Sequence, residues 1–168
     1  MTENYDKINE LITLYKNGDN DTIFDLYEFY RPLLSASVKR CLNRDKKLIA
    51  LVLVRLQDLQ VRDFALGSVS NETLDIYFNA WRWLLRNAPL GYVAPVANLF
   101  AAVAYERGDG ALAHRALDRA ESDEPGYAMT PLLRKVFISG WSPSTFAAMR
   151  SELHPRICDA IFSGSINS

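Results

Sequence analysis

The stretch "PVANLFAAVAYERGDGALAHRALDRAESDEPGY", residues 95–127, decides the fold class. Its first half is an alanine-rich apolar run that ends near Arg107. Gly108 then turns the chain, because glycine tolerates the left-handed backbone that closes a helix. Asp109 is placed to accept the free amide hydrogens of the next helix. Beyond it, Leu112, Ala113, Ala116, Leu117 and Ala120 recur at spacings of three and four, which puts them on one helical face. Small residues on both sides of the turn permit close antiparallel packing, as in the hairpins of helical repeats. One such hairpin is not an array, so no solenoid is expected.

Working outward, residues 71–88 give the clearest helix of the chain. Leu74, Tyr77, Phe78, Trp81, Leu84, Leu85 and Ala88 form one apolar stripe, Ser70 and Thr73 mark its start, and Pro89 with Gly91 closes it. Before it, an apolar helix is expected from Leu48 to about Gln60. No segment alternates with the period of a strand. The fold class that follows is all-α, a multi-helix bundle with antiparallel helical hairpins and seven or eight helices in all.

The first residues also have helical spacing. Tyr5, Ile8, Leu11, Ile12 and Tyr15 share a face, and Gly18 stops that helix. Asp19, Asn20 or Asp21 can open a second one that turns Ile23, Phe24, Tyr27 and Tyr30 inward. Pro32 breaks or restarts it, and a third can run through Leu33, Leu34, Val38 and Leu42. On these residues, "ELITLYKNGDNDTIFDLYEFYRPLLSASVKRCL" resembles the opening of sigma-factor region 2 and of related conjugative-transposon regulators. In that family, polymerase binding and promoter reading belong mainly to helices that follow this segment. Here no basic, aromatic-rich helix follows, so promoter recognition does not carry over.

Composition changes at the same place. Five of the six lysines (7, 16, 39, 46 and 47) fall in the first 47 residues, and Lys135 is the sixth; one alanine, Ala36, precedes that boundary and 17 follow it. "VRDFALGSV", "YVAPVANLFAAVAYERGDGALAHRALDRAESDEPGY" (92–127) and "PLLRKVFISGWSPSTF" together resemble the C-terminal helical part of an actinobacterial domain-of-unknown-function family, over roughly residues 50–150. That resemblance brings no known activity. The two resemblances jointly imply a fusion near residues 45–50, engineered or natural, and a division into a sigma-like helical leader at 1–47, a helical domain at 48–162 and a polar tail at 163–168. One chain of uneven surface composition is the alternative.

With 168 residues and 49% hydrophobic composition the chain can bury a sizeable core. A net charge of −1 supplies no field to attract nucleic acid or an anionic bilayer. Its longest apolar runs fall short of a membrane span. The polar start and two cysteines, Cys41 and Cys158, 117 positions apart, point to a cytoplasmic protein without a disulfide framework.

Chemistry is sparse. His114, His154, Cys41 and Cys158 have no paired ligand spacing, so no metal site is expected. "GDG" at 108–110 lacks the lysine of a phosphate loop, and "ESDEP" at 121–125 lacks calcium-loop spacing; both read as helix-end turns. The terminal serines, at 163, 165 and 168, have no base placed to activate them. No catalytic residue and no cofactor are therefore expected. One feature stands apart from the core stripe: at 100° per residue, Ile76, Ala80 and Trp83 fall opposite it and give a second apolar seam beside Asn79, Arg82 and Arg86. Either a helix of the same domain covers this seam or a partner does, and Trp and Arg are frequent interface anchors. The expected function is a non-enzymatic protein-interaction module, through a protein partner or self-association, with Ile76, Asn79, Arg82, Trp83 and Arg86 as the candidate surface. The rival is a transcription-associated factor in which the sigma-like segment contacts RNA polymerase or DNA, although nucleic acid is not expected of so short a remnant.

Overall fold

A computed structural model describes residues 46–163, and these form seven α-helices with no strand among the described residues. They are α1 (Lys46–Arg55), α2 (Leu59–Gly67), α3 (Leu74–Asn87), α4 (Val93–Glu106), α5 (Gly110–Asp123), α6 (Met129–Ile138) and α7 (Pro143–Ser163). The all-α class read from the spacing holds. The three helices expected before residue 45, the sigma-like leader and the tail after Ser163 lie outside the described residues.

Two boundaries differ from expectation; the helix expected over residues 71–88 begins only at Leu74. The apolar helix expected over Leu48 to Gln60 stops at Arg55, and a second helix runs from Leu59 to Gly67. The cause is Asp58. Its backbone is extended and its carboxylate accepts the Gln60 amide at 2.9 Å, so it caps a new helix in the middle of what reads as one apolar run.

The centre of the domain is α4. Every residue from Val93 to Tyr105 is buried, which is how a helix without a polar face must sit. Pro95 lies in its first turn, where a missing amide hydrogen costs no helical bond. The stripe of α3 packs on one side, with Tyr77, Phe78, Trp81, Leu84 and Leu85 buried and the Phe78 and Phe100 rings 5.2 Å apart. On another side lies α5, through Ala113, Ala116, Leu117 and Ala120. The turn between α4 and α5 is as the sequence requires. Gly108 has φ +85°, and the Asp109 carboxylate accepts the Leu112 amide at 2.9 Å.

At the far end of this hairpin, Asp123 closes it. No side chain of its own caps α4, yet Asp123 at the end of α5 accepts the amides of Gly91, Val93 and Ala94 at 2.8, 2.9 and 3.1 Å. The end of one helix thus supplies the cap of the other, which fixes them side by side in opposite directions. Asp123→Ala is expected to cost about 1–2 kcal/mol, the range of a lost helix cap. Thermal denaturation checks it, and a loss within error of zero would refute the cap.

Two buried cations tie the remaining helices to this centre. Arg62 of α2 donates to the Tyr127 hydroxyl at 2.9 Å and to the Asp63 carboxylate at 2.6 Å. Burial works to lower its pKa, but these hydrogen bonds outweigh it and the pKa is raised, so the group stays charged. Arg150 of α7 makes a two-pronged contact with Glu106, Nε to Oε1 at 2.6 Å and Nη2 to Oε2 at 3.1 Å, with each side chain only 4% exposed. Its remaining nitrogen donates to the carbonyls of Val69 at 2.6 Å, Gly67 at 3.3 Å and Leu66 at 3.4 Å. Those carbonyls lie at the end of α2 and just beyond it, and α2 and α7 approach so closely that a Cβ on Gly67 would overlap the His154 ring. Phe146, one turn before Arg150, is buried edge-on against Tyr105 and Phe137, whose own rings stack 4.0 Å apart.

Candidate interaction groove

Helix α3 has more apolar surface than α4 covers, and part of the excess borders a groove whose other wall is α1. Ile76 and Trp83 are half-buried and packed on the core, while Ala80 between them is buried outright. Ile49 and Val52 of α1 are also half-buried against the core. Between the two helices runs a groove of about 740 Å³ lined by Ile49, Ala50, Leu53 and Val54 of α1, Trp83 and Asn87 of α3, and Pro89 and Tyr92 of the α3–α4 turn. Apolar surface continues past its edge. Val54 is 54% exposed, and Leu90, between two of the lining residues, is 87% exposed.

The structure distributes the five expected surface residues in order. Trp83 is in the groove wall and Ile76 lies two turns away on the same side of α3, since seven residues advance the helix by nearly whole turns. Asn79, Arg82 and Arg86 are exposed. The amide of Asn79 donates to the Asp75 carbonyl at 2.9 Å, and that of Asn87 donates to the Trp83 carbonyl at 2.8 Å. Both amides are thereby held along their own helix.

Spacing on α3 alone missed the α1 wall. A signal was present: "LIALVLV" has no polar side, which implies that more than one of its faces meets protein. Which helix it meets is a long-range matter that periodicity does not encode.

Several other residues weighed for chemistry have structural employment, while the side chains of Cys158 and of the terminal serines lie outside what is described. Asp123 of "ESDEP" caps α4, and the glycine turn at 108–110 joins α4 to α5. His114 sits edge-on to Phe137, and buried His154 lies 5.3 Å from the Phe64 ring. Cys41 lies outside the described residues. Asn98, buried in α4, donates to the Ala94 carbonyl at 2.9 Å and to the Thr130 hydroxyl at 3.0 Å, which pins α6 to α4. Among the described residues, no group of three or more His, Cys, Asp or Glu side chains is arranged to hold a metal ion. No helix among them is long and apolar enough to cross a membrane.

No match was found among curated proteins or solved structures. One family does match, over residues 16–144. That span runs from inside the expected leader across residues 45–50 and through α6, so the comparison gives no support to a join there or to a sigma-factor origin. Its extent includes the groove and the buried core around α4, and on that ground the chain belongs to the family described as Domain of unknown function (DUF4192).

Proposed function

We propose that this chain is a non-enzymatic helical protein-interaction module whose working surface is the groove beside Trp83, with Ile76, Asn79, Arg82 and Arg86 on the same helix. The observation that carries this reading is the apolar groove between α1 and α3, whose wall holds a half-buried tryptophan and whose helix exposes two arginines one turn apart. Tryptophan and arginine are the residues on which binding energy most often concentrates. A small polar substrate needs convergent polar groups to orient it. The amide in the groove wall, that of Asn87, is engaged with its own helix. The buried Arg150 and Glu106 saturate one another, which supports a structural rather than a catalytic role for them.

Trp83→Ala tests this. A binding anchor loses about 2 kcal/mol or more of association, while a half-buried side chain costs folding stability well below the ~3–5 kcal/mol of a fully buried tryptophan. Sedimentation and thermal denaturation on the same variant give both quantities. The full core cost, with association unchanged, overturns the reading. The rival, a transcription-associated factor, rests on the sigma-like resemblance of residues 10–42. A mobility shift with promoter DNA and an RNA polymerase pull-down would bring it forward.

A further inference from the structure

We infer that the groove between α1 and α3 is the chain's self-association surface, where each of two copies seats its Leu90 in the groove of the other. This rests on the groove being a binding surface, and it names the occupant as a second copy.

Three observations converge. The first is a knob beside a hole. Leu90 is 87% exposed and stands between Pro89 and Tyr92, both of which line the groove of about 740 Å³. A twofold pair requires a patch that complements itself, so that the knob of one copy meets the hole of the other and the reverse contact forms at the same time. Exposed Val54, in the α1 wall, extends the apolar surface around the seat. Contiguous apolar surface of this kind marks contact with protein.

The second is that the knob is held still. Gly91 next to it has φ +83°, and its amide donates to the Asp123 carboxylate at 2.8 Å. The Gly91 carbonyl accepts from the side-chain amide of Gln57 at 3.2 Å, and the Tyr92 amide donates to the Pro89 carbonyl at 3.1 Å. The turn is thereby tied to the end of α5 and to the connection after α1, which keeps Leu90 out of its own groove. A leucine fixed in water adds nothing to the stability of the monomer, whereas its rigid presentation lowers the ordering cost of binding.

The third is charge. Among the described residues that line the groove none is charged, so two identical copies bring no like charges together at its centre. The surroundings carry both signs, with exposed Arg86 next to Asn87 on α3 and exposed Asp58 next to Gln57 at the turn. Identical copies can therefore meet cation to carboxylate at the rim. An unrelated helix is the other occupant such a groove accepts, and the adjacent, immobile knob favours the copy over it.

The test uses the full chain. Sedimentation over a concentration series should show a monomer–dimer equilibrium. Leu90→Asp should weaken it about tenfold or more and leave the Tm of the monomer unchanged, since the side chain is exposed. Leu90→Met, which keeps an apolar side chain of similar volume, should retain the dimer. To place the contact, a benzophenone amino acid replaces Leu90, and this protein is mixed with isotope-labelled wild type and irradiated. The product should have dimer mass, and its labelled peptide should come from α1 or α3. A chain that stays monomeric up to about 1 mM, or one that crosslinks only within itself, overturns the second copy as occupant and leaves the groove a surface for a different protein. A dimer that Leu90→Asp does not weaken also overturns it. A dimer linked outside α1 and α3 overturns both this inference and the groove's reading as a binding surface.

Discussion

Glu106→Ala is expected to lower the free energy of unfolding by about 3–5 kcal/mol, the cost of removing one partner from a buried ion pair. Glu106 and Arg150 are each 4% exposed, and the carboxylate receives two of the guanidinium's nitrogens. Without it, Arg150 keeps its bonds to the carbonyls at the end of α2 but holds an uncompensated charge away from water. Urea denaturation reads the result as a lower midpoint at unchanged slope. Glu106→Gln retains an acceptor and should lose less. The double replacement Glu106→Leu with Arg150→Met removes both charges but orphans the carbonyls of Val69 and Gly67, so it should lie between the single variant and wild type. A Glu106→Ala loss below about 1 kcal/mol would show that solvent reaches the pair and relieves it.

Phe146→Ala is expected to be as damaging, at about 3–5 kcal/mol, through the cavity it leaves. Phe146 is 1% exposed and fills the corner formed by Tyr105 of α4 and Phe137 of α6. Its position near the start of α7 makes it the apolar attachment of that helix, as Arg150 is the polar one. Tyr105 donates its hydroxyl to the Trp141 carbonyl just before α7, so the ring that Phe146 abuts also fixes the approach of the chain. In a chain of this length each kcal/mol shifts Tm by roughly 2–4 °C, giving a drop on the order of 10 °C. Phe146→Leu, which keeps most of the volume, should cost less than half as much. Equal effects of the two would mean that ring geometry, not filled volume, holds the corner.

What the sequence revealed follows the range of the interactions involved. The stripe of α3, the α4–α5 turn at Gly108 and the Asp109 cap depend on residues within one or two turns of each other, and all stand where their spacing puts them. Asp58 is also local, but it lies inside an apolar run, and its capping role shows only once the chain is seen to turn there. The interactions that join helices were not legible. Arg150 and Glu106 are 44 positions apart, and Asp123 reaches back 29 to 32 positions to cap α4. Each looks like an ordinary surface charge on its own helix. The α3 seam was half legible, since spacing placed Ile76 and Trp83 outside the main stripe, while the wall opposite comes from α1.

The clasp made by Arg150 also bears on how the protein is made. The carbonyls that it satisfies on α2 and the connection beyond lie 81 to 84 residues earlier in the chain. At a translation rate of about 5–20 residues per second, α2 waits roughly 4–16 s after its own synthesis for the side chain that completes it. The α4–α5 hairpin has no such delay, because the residue that caps it, Asp123, is also the last of its second helix. Nascent chains should therefore carry a finished α4–α5 hairpin while α2, made before it, remains unsecured. The order of assembly among the described helices runs from the α4–α5 hairpin outward, and α7, made after them, locks the earlier ones.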